Sequence, residues 1–88
     1  MAWQIKFDKD VQRAMRKLDK PIAKRILSKL REIAQLEDPR SAGKGLTGNL
    51  SGLWRYRVGD YRVVVDIEDD VLVVLVIGID HRSRIYKR

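Results

Sequence analysis

Three arginines, Arg55, Arg57 and Arg62, fall within the stretch GLWRYRVGDYRVVVD (52–66). Guanidinium groups are permanently charged and planar, and they donate hydrogen bonds in pairs, which suits phosphate oxygens. Residues 52–66 otherwise read as two β-strands around a turn, and a strand ordinarily buries one of its faces. The arginines therefore have two readings. They form a surface that holds phosphates, or they form a solvated sheet face whose long side chains cover apolar surface.

The elements around them decide where they point. Side chains alternate across a strand. In LWRYRV, Trp54, Tyr56 and Val58 share one face, and Arg55 and Arg57 share the other. In YRVVVDIE, Tyr61, Val63, Val65 and Ile67 share one face, and Arg62, Val64 and Asp66 the other. The pair Gly59-Asp60 suits a tight turn between the two strands. The apolar faces must meet the rest of the core, so Arg55, Arg57 and Arg62 are expected to emerge together on the opposite side. Like charges facing one another across strands repel, so the cluster calls for counter-charge from outside. Trp54 and Tyr56 are expected in the core rather than as platforms for stacked bases.

Upstream, WQIKF (3–7) alternates as a short strand, and Asp8 or Asp10 can cap a following helix. Val11, Met15 and Leu18 form one apolar stripe. Pro21 fits the first turn of a second helix, in which Ile22, Ile26, Leu30 and Ile33 recur at helical spacing. These segments predict a helical hairpin. The stretch 37–52, rich in glycine and long for a compact domain, reads as loop. Asp69-Asp70 marks a second turn, and VLVVLVIGI (71–79) suits a buried central strand. The element order is β-α-α-β-β-β. It predicts an α+β fold of two layers, a helical hairpin packed on an antiparallel sheet, as one domain spanning 1–88.

Composition narrows the partners. Lys and Arg total 19 against 12 Asp and Glu, a net charge of +7, which favours nucleic acid, an anionic membrane or an acidic protein. The absence of cysteine suits a reducing cytosol, and one histidine makes a zinc site improbable. No secretory signal is visible, and the longest apolar run is far too short to cross a membrane. A cytoplasmic protein with no membrane partner and no cofactor or metal is expected.

The segment YRVGDYRVVVDIEDDVLVVLVIGIDHRSRIYKR resembles the RelE/ParE superfamily of toxins from bacterial and archaeal toxin–antitoxin pairs. The resemblance covers essentially the whole chain. Its specific part is GDYRVVV…IGIDHRSRIY, whereas the helical half is generic. It implies the microbial-RNase-like order β-α-α-β-β-β, the same order the periodicity gives. RelE-like members are ribosome-dependent mRNA endonucleases that cut the message in the decoding A site, with the ribose 2′-OH as nucleophile. ParE-like members poison DNA gyrase and lack the RNase residues. The late tyrosine in HRSRIY places this chain nearer the RelE branch.

Carried over position by position, the family's functional residues fall on Arg55, Arg57, Arg62, Arg82 and Tyr86. The first two are often lysine in RelE members, so the chain departs there. The spacing from Arg82 to Tyr86 is also shorter than in some members. Cleavage by the 2′-OH needs a base, cationic donors for the crowded phosphorane and an acid for the departing 5′-oxygen. Arg55, Arg57 and Arg62 suit the second role. An arginine keeps its proton, so Tyr86 is the candidate base, its phenol made more acidic by neighbouring guanidinium groups. Arg82 would assist the leaving group. His81 is an alternative proton carrier, although a strand-end histidine more often serves the turn. The implied partners are a cognate antitoxin, in a toxin–antitoxin hetero-oligomer, and the ribosome, with its 16S rRNA and mRNA. A gyrase inhibitor without catalysis of its own, and a plain nucleic-acid-binding module, are the alternatives.

Overall fold

A computed structural model describes residues 3–81. Strand β1 (Gln4–Phe7) leads into helix α1 (Lys9–Lys17) and helix α2 (Lys20–Ala34). The chain then passes through a 3-10 turn at Pro39–Ala42, a two-residue strand β2 (Lys44–Gly45) and a second 3-10 turn at Gly48–Leu50. Strands β3 (Trp54–Val58), β4 (Tyr61–Glu68) and β5 (Val73–His81) complete the domain. All five strands join one sheet in the order β1-β5-β4-β3-β2. Strands β2 to β5 pair antiparallel, as the short connections predict. Strand β1 instead lies parallel to β5, so the sheet is mixed. The two helices separate β1 from the rest of the sheet in sequence, and no hairpin dictates its direction.

Local chemistry accounts for the helices. The Asp8 carboxylate accepts the backbone N–H of Asp10 at 2.9 Å and caps α1. Pro21 occupies the first turn of α2, where its missing N–H costs nothing. The α2 stripe Ile26, Leu30 and Ile33 is buried against Tyr56, Val63, Val65, Ile67, Val74 and Val76 of the sheet, with Val11 added from α1. Each aliphatic side chain removed from water contributes about 1.5–3 kcal/mol before chain entropy is counted. Met15, Leu18 and Ile22 pack on the margin of this core. Among the described residues no helix is long and apolar enough to cross a membrane.

The apolar run at 71–79 enters its strand two residues later than its hydrophobicity suggests. Asp69–Val71 form a 3-10 turn that ends at Leu72 in the left-handed region, φ 54° and ψ 51°. Val71 is left exposed on that turn. The Leu72 carbonyl accepts the N–H of Gln4 at 2.9 Å, so pairing with β1 holds the chain in this conformation.

The stretch read as loop is firmly attached. The Tyr56 hydroxyl, buried in the core, donates to the Pro39 carbonyl at 2.8 Å. Arg40 reaches across to Asp69 with Nη1 at 3.1 Å from Oδ1, and it also touches Asp38. At Gly43 a Cβ would lie 2.8 Å from the Arg55 carbonyl oxygen and 2.8 Å from the Tyr56 ring. Only glycine lets the chain come close enough there to pair with β3.

Candidate functional site

The β3–β4 hairpin sets the arginines. Its turn is Gly59-Asp60, with Gly59 at φ 59°, a conformation glycine adopts without strain. Val58 therefore pairs with Tyr61, and one step further Arg57 stands directly opposite Arg62. Arg55 pairs with Val64, and on its other side with Lys44 of β2. Partners in register share a face, so Lys44, Arg55, Arg57 and Arg62 emerge together on the side away from the buried Tyr56, Val63 and Val65. Arg57 and Lys44 are exposed; Arg55 and Arg62 are half-buried. The opposite parity puts Tyr56 in the core and Trp54 on its margin, in line with the alternation.

Strand β5 adds a residue the alternation does not reveal. Val65 pairs with Val76, but Val64 pairs with Gly78, so Ile77 is an extra residue and the strand carries a β-bulge. The bulge reverses the phase of everything beyond it. Val74 and Val76 face the core before it, whereas Ile79 faces the core after it. Asp80 consequently lies beside Arg62 on the arginine face. Its Oδ1 accepts the backbone N–H of His81 at 2.7 Å. The His81 ring falls on the other side, edge-on to Tyr61 with centroids 5.6 Å apart. The structure thus separates His81 from the arginine face and gives it a packing role at the end of the strand. Arg82 and Tyr86, the other two expected site residues, lie outside the described residues.

Lys44 and Asp80 are the residues that sequence reasoning missed. The signal for Asp80 was Gly78, since a glycine inside an aliphatic strand marks a bulge or a close backbone approach. The signal for Lys44 was weaker, being only the small residue Gly43 before it.

Among the described residues the arginine face combines the exposed Lys44 and Arg57 with the half-buried Arg55 and Arg62 and the buried Val64. One cavity of about 100 Å³ lies by the β3–β4 turn, lined by Ile22, Arg25 and Tyr61 among others. Another, of about 240 Å³, lies by the helices and is lined by Phe7, Met15 and Leu27 with Gln12 and Arg16. Neither is bordered by Arg55, Arg57 or Arg62. A row of basic side chains along paired strands suits an extended polyanion. Charge is also graded along β4: Arg62 lies near the turn, while Asp66 and Glu68 occupy the far end of the same face.

Fold and face together define a class, small two-layer α+β domains with helices on one side of a mixed sheet and an arginine cluster on the other. The chain belongs to the family described as ParE toxin of type II toxin–antitoxin system, whose family model matches residues 5–86. It is similar to Toxin RelG of Mycobacterium tuberculosis, at 32% identity over the whole of both chains. Among solved structures it resembles a chain of a RelBE toxin–antitoxin complex from the same organism, with a TM-score of 0.84, 25% identity and 94% of each chain covered. It also resembles a mutant of the E. coli toxin RelE in the free state, with a TM-score of 0.77 and 26% identity. That match covers 98% of this chain and 88% of the other.

Proposed function

We propose that this toxin is a ribosome-dependent mRNA endoribonuclease that cuts the message in the A site and so arrests translation. The observation that supports this most directly is the register of Arg57 against Arg62, with Arg55 on the same face. Two guanidinium groups set opposite each other suit a phosphodiester, whose single negative charge is shared by two non-bridging oxygens. The ribose O2′ attacks phosphorus, the new O2′–P bond forms, and the P–O5′ bond breaks. Arg55, Arg57 and Arg62 bind the phosphate and stabilise the crowded phosphorane. Tyr86 accepts the 2′-OH proton, and Arg82 assists protonation of the departing O5′. Between rounds of action a cognate antitoxin covers the basic face with acidic residues, forming a toxin–antitoxin hetero-oligomer. The net charge of +7 and the likeness to chains from RelBE complexes support that partner.

Toeprinting of a defined message on programmed ribosomes tests this reading. New mRNA ends in the A-site codon are expected with the natural chain and are lost with Arg62→Ala. Removal of one such donor slows the step about 10²–10³-fold. Tyr86→Phe is expected to slow cleavage without weakening ribosome binding.

Gyrase inhibition without catalysis is the second reading. The ParE family model favours it, as do the arginines at 55 and 57 where RelE relatives often carry lysine. Uncut messages together with loss of gyrase supercoiling would make it the correct one.

A further inference from the structure

The basic residues on the arginine face form two rungs. One is the cross-strand pair Arg57–Arg62, and the other is Lys44–Arg55. They are two residues apart along β3, about 7 Å at the rise of an extended strand. That separation is close to the one between successive phosphates of an extended single strand. Beyond the first rung the face turns acidic at Asp80 on β5, and further along β4 at Asp66 and Glu68. The row that holds Lys44 and Arg55 continues instead into Val64 and Gly78, which carry no charge. Among the described residues, a polyanion leaving the Arg57–Arg62 rung therefore finds favourable charge toward β2.

The chain is built to hold Lys44 in that place. Lys44 is an exposed residue of a strand only two residues long, which could not hold itself by its own ladder. Three ties fix it: the contact of Gly43 against the Arg55 carbonyl and the Tyr56 ring, the Tyr56–Pro39 hydrogen bond, and the Arg40–Asp69 ion pair. All three lie within five residues of Lys44 in sequence on the segment they anchor.

We propose that Lys44, beside Arg55 at the edge of this face, binds a second phosphate of the same RNA strand, one of the two that flank the scissile phosphate held by Arg55, Arg57 and Arg62. This inference rests on the nuclease reading given above. Lys44 is a binding residue in it, not a proton carrier.

The test uses programmed ribosomes and synthetic messages in which the phosphate on the 5′ side or the 3′ side of the scissile one is a neutral methylphosphonate. The natural toxin is expected to cut one of these two messages about tenfold more slowly than the unmodified one, the loss of one charge-assisted contact. Lys44→Gln should slow cleavage of the unmodified message by a similar factor and show no further loss on that modified message. Lys44→Arg should restore the natural rate. Lys44→Gln cutting the unmodified message at the natural rate, or losing rate equally again on the modified one, would overturn the subsite. Failure of the natural toxin to cut the unmodified message would instead overturn the nuclease reading on which it rests.

Discussion

Arg57 and Arg62 stand directly opposite each other across the β3–β4 hairpin, two like charges in a register pair. Such pairs are destabilising in a free sheet. Arg57→Gln is therefore expected to raise the stability of the isolated toxin by about 0.5 kcal/mol, read as a higher midpoint in urea unfolding at low salt. The gain should shrink as salt screens the repulsion. Cleavage should fall in the same variant. Stability and activity moving in opposite directions would mark the pair as selected for an external anion, whereas a loss of stability would contradict the like-charge account.

The Tyr56 hydroxyl ties the core to the segment before β2 through the Pro39 carbonyl. Tyr56→Phe keeps the ring and leaves that carbonyl unpaired near the core, at a cost of about 1–3 kcal/mol in unfolding free energy. Burial pushes the Tyr56 phenol up to about 12, with the nearby Asp38 carboxylate adding to the rise. The unfolded chain loses that proton near the ordinary value of about 10. Stability should therefore fall as pH rises from about 10 toward 12, because the unfolded state holds fewer protons across that range. In Tyr56→Phe this part of the alkaline loss should disappear from thermal melts taken along a pH series.

The arginine face was legible because alternation and a two-residue turn are local properties. Gly59-Asp60 sets Val58 against Tyr61, and the pairing of Arg57 with Arg62 follows by counting. The helical stripes of Ile26, Leu30 and Ile33 were equally local. Three features depend on contacts distant in sequence. The parallel pairing of β1 with β5 joins the two ends of the described chain. The bulge at Ile77 is an insertion against β4, and it alone moves Asp80 beside Arg62. The strand at Lys44–Gly45 exists because Tyr56 and Asp69 hold Pro39 and Arg40 from across the domain. Propensity in a glycine-rich stretch carries no trace of those ties.

Asp69 is held below the usual carboxylate range chiefly by its hydrogen bond from Arg40. Its folded value is depressed, so the stabilisation is present above the unfolded value of about 3.9 and is lost as pH falls through the lowered one. Thermal melts from neutral pH into acid should show a steeper decline for the natural chain than for Asp69→Asn. The Asp69 side chain is well exposed, so the difference between the two should be reduced by salt. Equal slopes at low salt would show that Arg40 and Asp69 do not couple in solution.

Gly43→Ala tests whether the same segment serves the site as well as the fold. The added Cβ would meet the Arg55 carbonyl and the Tyr56 ring, both at 2.8 Å. Neither is the far end of a flexible side chain, so β2 must move away from β3. Overpacking of this kind costs about 1–3 kcal/mol, and the shift also carries Lys44 away from Arg55. Gly43→Ala is therefore expected to lower the unfolding midpoint and to slow cleavage as Lys44→Gln does. Combining the two substitutions should cost no more activity than Gly43→Ala alone, because the lysine is already displaced. Lys44→Gln alone should leave the unfolding midpoint where it was, since an exposed lysine contributes little to stability. A Gly43→Ala variant that loses stability but keeps the natural cleavage rate would show that β2 braces the sheet without placing a residue against RNA.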